Sequence, residues 1–129
     1  MKTSLTILYA EDDQDIQMIA SMALSDIGGF KVHLCNNGAE ALEQVPSVQP
    51  DLILLDVMMP QMDGPSALVA LQQSLGDELP PVVFITAKAS SQEITRLMSM
   101  GASDVITKPF DPMTLADDVM NCWRQAQHD

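Results

Sequence analysis

Cationic side chains are scarce in this 129-residue chain: 6 Lys and Arg stand against 18 Asp and Glu, a formal charge of −12. Such a surface repels phosphate backbones and anionic lipid heads. The basic residues Lys2, Lys31, Lys88, Arg96, Lys108 and Arg124 are scattered and form no patch, so direct binding to nucleic acid or to a membrane is not expected. Long apolar runs are missing as well. No stretch approaches the ~20 residues of a membrane-spanning helix. The start, Met1-Lys2-Thr3-Ser4-Leu5, lacks the apolar stretch and cleavage site of a signal peptide, so a cytoplasmic protein is expected. With only Cys35 and Cys122, far apart, neither a disulfide framework nor a thiolate zinc site is expected; both read as packing residues.

What is present is ample apolar content, 47% of residues, enough for one core in one domain over residues 1–129. Short runs rich in branched residues alternate with amphipathic stretches. Strands are predicted at Leu5 to Tyr9, Phe30 to Cys35, Leu52 to Leu55, Val82 to Ile85 and, more weakly, Val105-Ile106. Leu52-Ile53-Leu54-Leu55 and Val82-Val83-Phe84-Ile85 are continuously apolar, as suits strands covered on both faces.

Between the strands, Ile16, Ile19, Ala20, Ala23 and Ile27 predict the buried face of a first helix that stops at Gly28-Gly29, with Met18 and Met22 off that face and free to meet a partner. Asn37 precedes a second helix around Ala39 to Val45, and Pro65 opens a third that runs to about Ser74. Ser90-x-x-Glu93 matches a capping box for a fourth helix ending near Gly101. A fifth opens with Asp111-Pro112 and shows Leu115, Val119, Cys122 and Ala126 along one face. His33 reads as a strand residue and His128 as part of a frayed tail. Five βα units with short connections predict an α/β fold: an open, doubly wound parallel sheet with helices on both faces and ligand sites beyond the carboxyl ends of its strands.

Those ends carry chemistry. Glu11-Asp12-Asp13 follows the first strand, Asp56 the third, Thr86 the fourth and Lys108 the fifth, all on one rim. Crowded carboxylates there predict that at least one holds its proton unusually tightly, unless a cation intervenes. An oxygen-only donor set suits Mg²⁺, which would also draw charge from an incoming phosphoryl group. Asp56, fixed at the end of a stiff strand, is then the candidate nucleophile for an aspartyl phosphate. Met58-Met59-Pro60 turns the chain so that a backbone carbonyl can face the metal. Thr86 can donate to one phosphoryl oxygen, and Lys108 can place a compact positive charge on another. Taken singly, each residue has a plainer explanation. A strand-end carboxylate such as Asp12 or Asp56 is more often a helix cap or a solvated charge, Asp63 and Asp104 read as caps or solvated charges, and Lys108 before Pro109 reads as a turn lysine. The ten methionines read mostly as core or groove filler.

Taken together, Glu11-Asp12-Asp13, the segment from Leu52-Ile53-Leu54-Leu55-Asp56 to Asp63-Gly64, Ile85-Thr86-Ala87, and Gly101-Ala102-Ser103-Asp104 leading to Lys108-Pro109-Phe110 resemble the receiver domain of two-component response regulators. Within that family the likeness is to the chemotaxis regulators. The blocks keep intervals of 45, 30 and 22 residues between Glu11, Asp56, Thr86 and Lys108 and span nearly the whole chain. The resemblance implies a flavodoxin-like sheet of order 2-1-3-4-5. It also implies phosphotransfer from a phosphohistidine on a sensor kinase or phosphotransfer protein to Asp56. Mg²⁺ would be held by Glu11, Asp12, Asp56 and the Met58 carbonyl, with Asp12 the more direct ligand of the acidic pair and Asp13 an accessory charge or cap. By the same resemblance the Lys108-Pro109 peptide is often cis, and phosphorylation draws Thr86 inward and reshapes the surface of helix four, strand five and helix five that meets a target protein.

Two departures follow from the same resemblance. Val105 stands where receivers commonly carry a rotating Tyr or Phe, so coupling is expected through Thr86-Ala87-Lys88 and helix four. Met58 and Lys88 occupy the two positions whose polar groups help orient hydrolytic water, and Met58 cannot, so a slowly decaying phosphoryl state is expected. Self-phosphotransfer and slow autodephosphorylation are then the only reactions expected, without turnover of an external substrate.

Competing readings are a phosphorylation-independent interaction module, a haloacid-dehalogenase-type phosphatase and a flavodoxin-like cofactor binder. The phosphatase needs a second Asp where Met58 stands and a cap domain. The cofactor binder needs a phosphate cradle where Glu11-Asp12-Asp13 stands. Ile94, Leu97, Met98 and Met100 allow a phosphorylation-dependent homodimer, although a packed helix reads the same. The sequence leaves open a stand-alone regulator or a receiver within a longer protein.

Overall fold

A computed structural model describes residues 4–88 and 90–128, except the side chain of His128. Met1 to Thr3, Lys2 among them, and Asp129 lie outside the described residues. Strands β1 (Thr6–Ala10), β2 (Lys31–Cys35), β3 (Leu52–Asp56), β4 (Val82–Thr86) and β5 (Asp104–Thr107) form one sheet. Its order is β2-β1-β3-β4-β5, and every pairing is parallel. The helices are α1 (Gln14–Ser21), α2 (Gly38–Val48), α3 (Gly64–Leu75), α4 (Ser91–Ser99) and α5 (Leu115–His128).

Period-two alternation divides the strand side chains between two cores. Ile7, Tyr9, Leu52, Leu54, Val83 and Ile85 face α1 and α5, where they meet Ala20, Ala23, Leu24, Leu115 and Val119. Leu8, Ala10, Ile53, Leu55, Val82 and Phe84 face α2, α3 and α4, where they meet Ala41, Val45, Leu68, Leu71 and Leu97. Because β3 and β4 are covered on both sides, all five residues of each are buried, which is the condition their unbroken apolar runs anticipated.

Local capping sets where the helices begin. Asp13 Oδ1 accepts the N–H groups of Asp15 at 2.9 Å and Ile16 at 3.1 Å, which makes Asp13 the cap of α1. Asn37 Oδ1 takes the Glu40 N–H at 2.9 Å, Asp63 Oδ1 the Ser66 N–H at 2.8 Å, and Ser90 Oγ the Glu93 N–H at 3.1 Å. The Ser90 box is half-made: Glu93 turns to Arg96, 2.6 Å away, and does not reach back to Ser90. Gly64 has no alternative at its position, since a Cβ there would lie 2.3 Å from the Asp56 carbonyl oxygen. Its bare backbone lets α3 start directly against the end of β3.

Several sequence expectations are corrected. All the strands but β2, which ends at Cys35 as expected, end one residue later than expected, so Asp56 and Thr86 belong to β3 and β4 and share their rigidity. Ile19 and Ile27, assigned to the buried face of the first helix, are 46% and 51% exposed; Ala20, Ala23 and Leu24 are the buried residues. After Ser21 the helix widens into a π-helical segment, Met22–Ile27, marked by a bond from the Gly28 N–H to the Ala23 carbonyl at 3.1 Å. The wider turn shifts the phase that a period of 3.6 would have kept, which carries Ile27 outward. Helix α5 starts at Leu115; Asp111 precedes it and accepts the Met113 N–H at 2.8 Å. At its other end α5 runs on to His128. On α4, Leu97 is buried and Met100 packs against the core, leaving Met98 as the exposed large apolar side chain, so the stretch reads chiefly as a packed helix. Cys35 and Cys122 are free and buried, and Cys122 Sγ lies 3.4 Å from Asp104 Oδ2. No helix among the described residues is long and apolar enough to cross a membrane.

Candidate functional site

Parallel strands all present their carboxyl ends at one edge, so residues far apart in sequence meet there. Glu11 follows β1, Asp56 and Thr86 close β3 and β4, and Lys108 follows β5. All but Lys108 are almost fully enclosed, at 1% exposure for Glu11, 6% for Asp56 and 3% for Thr86.

Lys108 ties the carboxylates together. Its Nζ lies 2.6 Å from Glu11 Oε1 and 3.3 Å from Asp56 Oδ1. Carboxylate oxygens of Glu11, Asp12 and Asp56 fall within 4.8 Å of one another, with Asp12 exposed and the other two buried. One ammonium cannot offset that much negative charge out of water. Burial, then the hydrogen bond and charge of Glu11, push the Asp56 carboxyl from its ordinary 3.8 up to about 7, against the pull of Lys108. For Glu11, burial also pushes upward, but hydrogen bonds with Lys108, Asp56 and the Asp13 backbone outweigh it and hold this carboxyl below its ordinary value. Burial lowers the Lys108 ammonium, and Glu11 and Asp56 more than restore it, so its pKa lies above the ordinary one.

A hard divalent cation fits this donor set on chemical grounds. The three carboxylates offer oxygen only, lie close enough for shared coordination, and crowd together enough negative charge to raise the proton affinity of Asp56.

Beside Asp56 opens a cavity of about 340 Å³ lined by Met58, Thr86, Lys88, Glu93, Arg96 and Lys108 among others. Met58 is 70% exposed here. The Thr86 hydroxyl is engaged within its own loop: it accepts the Lys88 N–H at 3.0 Å and donates to the Lys88 carbonyl at 3.3 Å. The Lys108-Pro109 peptide is cis. Thus Glu11, Asp12, Asp56 and Lys108 form one cluster, with Thr86 and Met58 on the wall of the adjoining cavity.

Sequence reasoning missed Tyr9, whose buried hydroxyl donates to Glu11 Oε1 at 3.2 Å; burial and the Glu11 charge raise its pKa far above the ordinary value. The signal was available, because residues two apart in a strand share a face. It also missed Glu93 and Arg96, which reach the cavity from the first and last turns of α4.

Residues 7–120 match the family model described as "Response regulator receiver domain". The response regulator MprA of Mycobacterium leprae is 40% identical over 106 residues, covering 82% of this chain and 45% of that protein. The transcriptional regulatory protein PcoR of Escherichia coli is 36% identical over 121 residues, covering 94% of this chain and 52% of the relative. The chain therefore spans about half the length of the curated relatives it matches. Among solved structures, the chemotaxis response regulator CheY4 of Vibrio cholerae superposes with a TM-score of 0.85 at 28% identity, covering 93% of this chain and 99% of that one. The receiver domain of the Francisella response regulator 1452 gives a TM-score of 0.84 at 27% identity, covering 95% of this chain and 98% of that one. With the fold, the acidic rim and the family match in agreement, the chain belongs to the response regulator receiver-domain family.

Proposed function

We propose that residues 1–129 act as one cytoplasmic receiver domain that accepts a phosphoryl group on Asp56 from a phosphohistidine of a sensor kinase or phosphotransfer protein. The observation that carries this reading is the joining of Asp56, Glu11 and Lys108 at 2.6 to 3.3 Å beside a cavity walled by Thr86. An Asp56 oxygen forms the new P–O bond as the P–N bond to the donor imidazole breaks, and the imidazole leaves with the electron pair and takes up a proton. Glu11, Asp12, Asp56 and the Met58 carbonyl would hold Mg²⁺, which when bound offsets charge on the carboxylates and on the phosphoryl oxygens. Lys108 moves from the carboxylates to a phosphoryl oxygen, supplying compensation as charge accumulates.

The Thr86 hydroxyl turns to another phosphoryl oxygen. Doing so breaks both of its contacts with Lys88, and Lys88 stands two positions before Ser90, the cap of α4. Phosphorylation replaces one carboxylate charge with up to two and adds three strong acceptors, enough to bias a loop with two arrangements. Val105, half-buried against the α2-α3-α4 side, has no ring to rotate, so the change spreads through this loop and α4 more than through β5. The reshaped surface of α4, β5 and α5 engages a downstream protein. The exposed Met58 leaves the acyl phosphate without a strong side-chain acceptor for attacking water, so decay is slow.

The test is direct. Incubation with phosphoramidate or acetyl phosphate and Mg²⁺ should add one phosphoryl mass, and Asp56→Asn should abolish the addition. An unchanged wild-type mass removes the switch and leaves a phosphorylation-independent interaction module.

A further inference from the structure

Tyr9 is the chain's single tyrosine and is completely buried. Its ring packs in the α1-α5 core with Ala20, Leu24 and Leu54, a place that phenylalanine would fill equally well. What phenylalanine would lack is the hydroxyl, a polar group whose burial is costly unless it is paired. Its partner is Glu11 Oε1, at 3.2 Å, the oxygen that Lys108 Nζ approaches to 2.6 Å.

The double use of that oxygen has a consequence under the reading above, on which this inference rests. When Lys108 transfers to the phosphoryl group, Glu11 keeps its charge at 1% exposure and loses its cationic side-chain partner. Two donors stay behind: the Tyr9 hydroxyl on Oε1 and the Asp13 N–H on Oε2, the latter at 3.2 Å. Glutamate is also one methylene longer than aspartate, so an additional torsion must be fixed before its oxygens face Asp12 and Asp56. A rigid phenol on a central strand fixes it.

We propose that the Tyr9 hydroxyl is a positioning group that aims Glu11 at the Mg²⁺ site and holds it there when Lys108 leaves for the phosphoryl group. Hydrogen-bond partners of ligating side chains typically contribute 10- to 100-fold in metal affinity. Tyr9→Phe is therefore expected to weaken Mg²⁺ binding, measured by titration calorimetry, by about 10-fold. The loss falls on the Mg²⁺ concentration needed for half-maximal phosphorylation by phosphoramidate and spares the rate at saturating Mg²⁺. In a Glu11→Asp background the shorter carboxylate falls short of the hydroxyl, so Tyr9→Phe should then change the affinity less than twofold.

Biosynthetic 3-fluorotyrosine gives a second measurement that needs no mutation. With one tyrosine in the chain, its single ¹⁹F resonance should move on adding Mg²⁺ and saturate at the calorimetric concentration. This arm decides the matter if Tyr9→Phe folds poorly by circular dichroism, and a resonance that ignores Mg²⁺ overturns the proposal. Wild-type affinity in a folded Tyr9→Phe, or an equal loss in the Glu11→Asp background, overturns it as well. Failure of the wild-type chain to take up a phosphoryl group is a different result, because it removes the reading of the site itself.

Discussion

β3 carries four aliphatic side chains, Leu52 to Leu55, each at 0% exposure, and then a fifth buried side chain, Asp56, at 6%. The four gain from leaving water. The fifth loses, and its proton affinity records the loss, since burial is the largest influence moving its pKa to about 7. One strand thus contains a segment that stabilises the fold and a residue that strains it one position later. The change from apolar to polar recurs at the ends of β4, where Val82 to Ile85 precede Thr86, and β1, where Ile7 to Ala10 precede Glu11, but there partners more than offset the burial of Glu11 and Thr86 is hydrogen-bonded, so the strain is confined to Asp56. The sheet's middle holds the rim rigid, and that rigidity keeps carboxylates close together that would otherwise repel one another apart.

Removing one member from each region is the strongest way to test this contrast. Leu54→Ala takes a fully enclosed side chain out of the α1-α5 core and should cost about 3 kcal/mol in urea unfolding, with Asp56 still phosphorylated wherever the protein remains folded. If the cost were under about 1 kcal/mol, the middle of the sheet would not be the rigid support described.

Asp56→Asn should act in the opposite direction. Between its ordinary 3.8 and about 7, the folded chain holds the Asp56 proton more tightly than the unfolded chain does. The contribution of this group to stability is therefore complete below pH 3.8 and is lost as the pH rises through about 7. Asparagine needs no proton and escapes that loss. At pH 8 without Mg²⁺ the variant should be more stable than wild type by about 2 kcal/mol, less than the full shift because Asp56 shares its titration with Glu11, and the gain should fade below pH 4. Adding Mg²⁺ should raise the thermal midpoint of wild type and move that of Asp56→Asn much less, narrowing the gap. A variant less stable than wild type at pH 8 would show that the Lys108 contact outweighs the strain.

How much of this was legible beforehand divides along the same line. Unbroken apolar runs such as Val82-Val83-Phe84-Ile85 identify covered strands, and four spaced polar residues at strand ends identify the rim, because both depend on position along one strand. The sheet order came with the family resemblance, since periodicity fixes faces but not neighbours. The π-helical stretch Met22–Ile27 carries no compositional mark, so Ile27 was assigned to the wrong face. Asp13, read through the resemblance as a cap or an accessory charge, and Asp63, read as a cap or a solvated charge, are both caps. Tyr9 and Arg96 escaped notice for a common reason: each reaches the site from an element whose pattern was already explained by packing or by solvent.

The smallest expected effect concerns α4, where Glu93 meets Arg96 at 2.6 Å in an i, i+3 pair on the cavity wall. This pair resembles the rim in having opposite charges in contact, yet it differs in being open to water, where screening and side-chain entropy cancel most of the attraction. Arg96 holds the Glu93 carboxyl below its ordinary value, so any contribution from the pair would be present above pH 4.5 and lost as the pH falls through the lowered pKa. Solvent reduces that contribution to the margin of detection. Glu93→Gln should leave the thermal midpoint at pH 7 within experimental scatter and leave its dependence on pH unaltered. A midpoint several degrees lower would mean that charge contact itself, exposed or enclosed, governs stability here, and the difference between rim and surface would lose its basis in burial.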